Sequence, residues 1–433
     1  GDTVFVFGGS TINGPLTIPN GISLIGQGAG LVVAQTVVEP GTAPTLVGPV
    51  TPTQNNVLAG FRTAGSTGPG IDMGIGTNVA GLTIRSNRFE NNAEEHIYMT
   101  DTGSPISIES NVFTGSAAGF DAIFHEKTGG NKVIDLSIDN NTFTSDGTAS
   151  QGRAIAIQSL GSETHQFGFR GNTITGTNNT LSYTDGLYFT AQGASVNNIE
   201  VSGNTISGME NSAVFFENAS LTFPGGGGGT INADIFNNSF TGSGVTNLLL
   251  DFVGGPGYPK TIKLFSNTLT GSDDDGIQIS LIANATLRLV ASDNTISGSA
   301  DDGIFIDRQQ TADGTFIIQN NQFTNNGGDG IEGMIQNGGM TGLFEVGLFD
   351  NIFTNSNEDD VEFSAINGAA EACFDIERNT FSSNVSLNPQ SSNTFIVEQF
   401  NAGLNTINTF LSGSVTTSGN AIVNAANGDC DIN

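Results

Sequence analysis

The sequence predicts an all-β solenoid, a single-domain parallel β-helix of about a dozen coils, and three observations carry that reading. An asparagine-centred phrase recurs at Asn87, Asn111, Asn141, Asn172, Asn204, Asn238, Asn267, Asn294, Asn321, Asn351 and Asn379. Successive steps run from 24 residues (Asn87 to Asn111) to 34 (Asn204 to Asn238), the range of a solenoid repeat. Apolar residues three and five positions before each asparagine, such as Ile106/Ile108 and Ile262/Leu264, alternate with period two, as in short strands with one buried face. No ten-residue helical pattern separates the strands, which excludes βαβ units, and the repeat is too short for four-stranded propeller blades.

Within each repeat, the position two residues after the asparagine is always large and apolar, from Phe89 through Phe143 and Leu269 to Phe381. A second phrase, Asp-Gly-Ile-x-Ile in its clearest form at Asp275–Ile279 and Asp302–Ile306, supplies another strand. Equivalent residues of neighbouring coils then stack about 4.8 Å apart. The asparagines read as an inward ladder at a sharp bend, because Asn tolerates left-handed backbone and its amide both donates and accepts. Residue 114 and its equivalents (Thr144, Thr175, Thr241, Thr270, Thr324) form a hydroxyl row, either a cross-coil hydrogen-bond ladder or a regular array matched to ice.

Along the chain, residues 1–80 read as N-terminal irregular coils, 81–381 as the regular coils, and 382–433 as the last coils and a C-terminal cap. The opening coil has no capping segment before it, and an uncovered β-helix end would template end-to-end association. Loops are expected at 148–165, 221–231 and 253–260. The run Gly225 to Gly229 lacks Walker spacing and is read as a turn, not a phosphate loop. No stretch approaches 18 consecutive apolar residues, so no membrane insertion is expected. Cys373 and Cys430 are the two cysteines; a disulfide between them would close 430 − 373 = 57 residues and contribute about 4 kcal/mol in the chain-entropy model. It would also imply an oxidising compartment.

Charge narrows the partners. The 42 acidic and 12 basic side chains give a net charge of −30, which repels nucleic acid and anionic membranes, and repels polyanionic sugars unless divalent cations bridge the two. A secreted or cell-surface location fits such a surface. No cofactor is required, but part of the charge is ordered. Aligned on Asp-Gly-Ile, Glu95, Asp121, Asp185, Asp275, Asp302, Asp329 and Asp359 fall in one column, with Gly152 and Ser212 in its gaps. Asp275, Asp302 and Asp329 are the densest part and the candidate ligands for Ca2+; the competing reading is that Asp-Gly is simply a good turn. One residue beyond the inward isoleucine, Tyr98, Phe124, Tyr188, Phe215 and Phe305 form an outward aromatic row, a platform for sugar or protein, broken at Ala156 and Gln278.

The repeats Asn-x-Phe-Thr and Asp-Gly-Ile-x-Ile resemble those of the pectin-lyase-like right-handed parallel β-helix superfamily, over about residues 1–410. The resemblance implies a right-handed coil and one of several roles: polysaccharide lyase, polygalacturonase, alginate epimerase, phage tailspike or secreted adhesin passenger. The catalytic motifs of that superfamily are incomplete. Thr184-Asp185-Gly186 and Asp274-Asp275 are faint echoes of a polygalacturonase, whose His and Arg-Lys elements are missing, and Arg288 and Arg308, the basic candidates near the acidic column for a pectate-lyase-like site, have no matching motif around them. Phe120 to Lys127 is a loose shadow of an epimerase motif, which makes Glu95, His96, Asp121, His125 and Lys127 the candidate catalytic group. The expected function is an extracellular structural or adhesive protein that self-associates or binds a host or matrix surface. The alternatives are a polysaccharide-active enzyme and a carbohydrate-binding module.

Overall fold

The computed structural model describes residues 2–398 other than 34–35, 75–78, 129–132, 149, 178–179, 219–227, 255–256, 337–343, 367–370 and 390–393, and beyond them the strands Val415–Thr417 and Ile422–Ala425. The fold is a parallel β-helix in which three strands per coil build three parallel sheets. The chain divides into two compact units, Gly1–Ala213 and Val214–Asn433.

In the first unit a typical coil runs through Ile106–Glu109 on the first face, Val112–Thr114 on the second and Ile123–Lys127 on the third. Each strand pairs in parallel with its equivalent on the next coil, as Ile106 does with Leu136, Phe113 with Phe143 and Ile123 with Ile155. The second unit repeats the pattern, for example Thr286–Ser292, Thr295–Ser297 and Ile304–Gln309. Side chains of period two enter the core and stack by type. Phe89, Phe113 and Phe143 lie parallel with centroids 4.8 and 4.5 Å apart, as do Phe323 and Phe353 at 4.7 Å. Each buried Phe contributes on the order of 1.5–3 kcal/mol.

The asparagine ladder holds the bend between the first and second faces. Asn141 Nδ2 donates to Asn172 Oδ1 (3.1 Å) and to the carbonyl of Ile108 (2.9 Å), while the Asn141 amide donates to the same Asn172 oxygen (2.9 Å). The same set recurs at Asn111 in the first unit and at Asn267, Asn294 and Asn321 in the second. One detail differs from expectation. The left-handed residue is the one before each asparagine, as in Ser110 (φ 55°), Asn140 (φ 55°) and Ser266 (φ 56°). The reversal of the backbone there is what turns the following amide into the core.

Three sequence boundaries also shift. Coils take up the three-face pattern before residue 80, with Thr45–Val47, Val57–Ala59, Arg62–Ala64 and Ile71–Met73 already in parallel register. Leu31–Val33 pairs antiparallel with Thr36–Val38. The expected loop at 148–165 contains a strand, Ile155–Ser159, whose alternation is hidden because Ala156 occupies the outward site. The glycine run at 225–229 lies mostly outside the described residues. Cys373 is buried on Glu371–Glu377, but Cys430 lies outside the described residues, so their pairing stays an expectation. Among the described residues no helix is long and apolar enough to cross a membrane.

Candidate carbohydrate site and acidic column

The third face of the first unit carries the outward groups. Ile97 pairs with Ile123, Ile123 with Ile155 and Ile155 with Leu187. Two residues before each of these inward positions, the column therefore reads Glu95, Asp121, Arg153, Asp185. The sequence alignment placed Gly152 in the third position; pairing puts Arg153 there. The slip came from matching glycine with aspartate instead of matching the isoleucines that set the face.

Arg153 is bound on both sides. Its backbone amide donates to Asp121 Oδ1 (2.5 Å), its Nε lies 3.7 Å from Asp185 Oδ2, and its guanidinium carbon sits 3.8 Å over the Tyr188 ring. An arginine stacked on an aromatic and beside a carboxylate is held as a flat, oriented donor. Asp185 is nearly buried, and desolvation, partly offset by Arg153, pushes its carboxyl up to about 6. Burial also raises Asp121, again against Arg153, and raises half-buried Glu95, where Asp121 adds like charge. Beside this column, Tyr98 and Phe124 stack at 5.6 Å on the outward row, both half-buried. Ala156 follows Phe124 and Tyr188 follows Ala156, so the small residue leaves the space over which Arg153 reaches Tyr188.

The five candidate catalytic residues do not form one group. Glu95 and Asp121 lie on this face. His96 is fully buried against Phe89 and Phe113, with Asn92 Nδ2 2.9 Å from its Nδ1 and the Gly115 carbonyl at its Nε2. His125 and Lys127 point inward from Ile123–Lys127, and Lys127 pairs with Asp101 at 3.2 Å. Alternation along a strand accounts for this: Phe124 and Glu126 take the outward side, so His125 and Lys127 cannot.

The second unit has a column of its own, Thr246, Asp275, Asp302, Asp329 and Asp359, in register with Leu248, Ile277, Ile304, Ile331 and Val361. Each carboxylate accepts from the next coil's amide: Asp302 donates to Asp275 Oδ1 (3.1 Å), Asp329 to Asp302 (2.6 Å) and Asp359 to Asp329 (2.6 Å). That is turn chemistry repeated as a ladder. The carboxylates also crowd. Asp275 groups with Asp274 and Asp301, whereas Asp302 and Asp329 group with Glu332, each set having one oxygen per residue within 4.8 Å of the others. The expected trio Asp275, Asp302 and Asp329 is thus split between two clusters. Glu332 escaped notice because it occupies the aromatic row, paired with Phe305 and Glu362. Burial first and neighbouring carboxylates second push Asp275 up to about 7 and Asp329 up to about 8; burial and the Glu332 carboxyl push Asp302 up further still.

Tyr188, expected to face outward, is buried with the Arg153 guanidinium over its ring, and the remaining aromatic positions do not extend the pair Tyr98 and Phe124. Phe215 pairs with Leu249, and Phe305 lies between Gln278 and Glu332. Of the basic residues expected near this column, Arg308 is buried, its Nε donating to the Ala312 carbonyl (2.8 Å), and Arg288 lies on the first face, in Thr286–Ser292.

No family model matches the chain. No curated relative matches it. Solved structures do resemble it. The catalytic unit of an alpha-1,3-glucanase from Streptomyces thermodiastaticus is 15% identical with a TM-score of 0.40, over 99% of this chain and 64% of that one. The chain therefore spans less than two thirds of the glucanase unit. The tailspike of Escherichia coli bacteriophage HK620, solved with a pentasaccharide, is 8% identical with a TM-score of 0.43, over 97% and 71%. A mannuronan C-5 epimerase A-module from Azotobacter vinelandii is 12% identical with a TM-score of 0.36, over 87% and 90%. The chain is a parallel β-helix by its own strand pairing. At these identities the likeness is one of fold.

Proposed function

We propose that this protein binds a polysaccharide along the third face of its first unit and cleaves it with the carboxylates of that face. The observation that carries the reading is Arg153, set in a carboxylate column between Asp121 and Asp185 and stacked on Tyr188. Sugar rings pack on aromatic faces and are oriented by charged hydrogen-bonding groups. A carboxyl raised to about 6 holds its proton in mildly acidic solution and can donate it there to a glycosidic oxygen. Asp185 takes that role. Asp121 lies two coils away, about 9–10 Å by coil spacing, near the separation at which a second carboxylate activates water for inversion.

The test is a panel of soluble polysaccharides assayed for binding and for release of reducing ends. Asp185→Asn should keep binding and lose turnover, and Arg153→Ala should lose most of the binding. Turnover that survives in both Asp185→Asn and Asp121→Asn would remove the catalytic assignment. Failure to bind any panel member would remove the carbohydrate reading. The structural, self-associating role expected from the sequence comes second, because it uses nothing of the Arg153 arrangement; sedimentation of the purified chain tests it directly. We also carry forward the calcium expectation, now assigned to Asp302, Asp329 and Glu332 and to a stabilising role.

A further inference from the structure

We propose that the second face binds ice, through a two-column lattice of threonine and serine side chains that each unit carries. The sequence marks one hydroxyl row; strand pairing shows two. In the first unit Thr142 pairs with Thr173 and Thr173 with Thr205, while Thr144 pairs with Thr175 and Thr175 with Ser207. In the second unit Ser239, Thr268 and Thr295 form one column, and Thr241, Thr270 and Ser297 the other. On each strand the two hydroxyl side chains flank a buried apolar residue, from Phe143 to Ile296, and so point outward, exposed or half-exposed. None of these six strands holds a charged residue, in a chain whose net charge is −30.

The lattice is regular because the bend beside it is regular. Each strand starts one residue after a ladder asparagine, and the amides of Thr142, Thr173 and Thr205 donate to the carbonyls of Asn111, Asn141 and Asn172, each at 2.9 Å. Thr268 and Thr295 donate likewise to Asn238 and Asn267, again at 2.9 Å. Columns therefore repeat at about 4.8 Å from coil to coil, and positions two apart on a strand at about 6.6 Å. A mesh of that size is of the order of the oxygen repeats on faces of ice. Threonine is stiff at χ1, so the array is ordered before water settles on it. Each threonine offers a methyl, which orders its first water shell, beside a hydroxyl that donates and accepts. A ladder between coils would consume those hydroxyls. Among the described residues one such bond joins the array, Thr270 Oγ1 donating to Thr241 Oγ1 at 3.2 Å. A single sugar or peptide meets such a surface at one point, whereas a crystal meets it at every point. Immobilising a liquid water costs entropy that a water already in ice has lost, so the surface favours the solid.

The array shares no residue with the Arg153 arrangement, so the two faces can be tested apart. The full chain is frozen slowly onto a cold surface and the fraction entering the ice is measured; the gap between the melting and freezing temperatures of a single ice crystal is read in the same buffer. Wild type should be enriched in the ice and open a gap that widens with protein concentration. Thr173→Tyr/Thr268→Tyr sets a bulky ring in the middle of each block, at exposed positions. It should unfold at the wild-type temperature and lose most of both effects, while Arg153→Ala keeps them. Wild type that stays in the liquid like an inert protein and opens no gap overturns the proposal, and that result needs no variant. A folded Thr173→Tyr/Thr268→Tyr protein that enters ice as wild type does overturns it equally.

Discussion

A ladder asparagine is worth more than its volume. Asn141 serves the Asn172 oxygen, the Ile108 carbonyl and the amide of Asn111, which donates to Asn141 Oδ1 at 2.9 Å. Asn141→Ala should therefore strand an amide and a carbonyl inside the bend and lower stability by at least about 2 kcal/mol, read by denaturant unfolding. Asn141→Asp keeps the acceptor and loses the donor, so it should not restore wild-type stability. The ladder was legible because its residue type and burial recur in successive coils from Asn87 onward, Phe61 taking the place in the coil before. The left-handed residue before it was not, because Ser, Asn, Gly, Asp and Arg all fill that place and composition does not mark it. Histidine was misleading for a related reason: one residue of strand alternation separates a surface base from a buried neutral ring, as His96 and His125 show.

At the level of the repeating elements, register decides chemistry. The glycine of Asp-Gly-Ile has a stacking duty: a Cβ on Gly303 would stand 2.5 Å from the Gly330 carbonyl, and one on Gly276 would stand 2.7 Å from the Gly303 carbonyl. Gly303→Ala should force adjacent coils apart and cost about 1–3 kcal/mol, as overpacking does, with a lower melting temperature as the readout. Aligning that phrase on its glycine is reliable where the glycine is present. It failed at Gly152-Arg153-Ala154-Ile155, where Ala154 takes the glycine's place and the glycine sits two places earlier, and with it went the cation of the carboxylate column. Matching inward isoleucines recovers Arg153 from the sequence alone. The pairing of Glu332 with Asp302 and Asp329 could not be recovered so, since it depends on an outward side chain folding back toward the bend.

For the whole molecule the charge balance sets the pH response. Asp275, Asp329 and Asp302 have folded values raised above the ordinary carboxylate value, so their contribution is fully present below about pH 4 and is lost as pH rises through about 7, about 8 and about 9 in turn. His125 and His96 are depressed by burial to about 3 and about 4, so theirs is present above about pH 6.5 and is lost as pH falls toward those values. Melting temperature should fall on both sides of a mildly acidic optimum. Millimolar Ca2+ should recover the alkaline loss in wild type, and much less of it in Asp302→Asn/Asp329→Asn. A calorimetric pH series with and without Ca2+ reads both effects. The fold class and the acidic surface were legible from repeat length and composition, which average over many residues. The site was not, because it turns on a single arginine.

The amide ladder also bears on how such a chain changes length over evolutionary time. From Asn267 to Asn294 and from Asn294 to Asn321 the step is 27 residues in both cases, and each asparagine presents the same donor and acceptor to whichever neighbour arrives. Gain or loss of one such block by unequal recombination leaves every amide partnered, so the gene can lengthen or shorten in whole coils with no new contact to invent. Removing residues 294–320, which places Asn321 directly after the Asn267 coil, should yield a protein that still unfolds cooperatively.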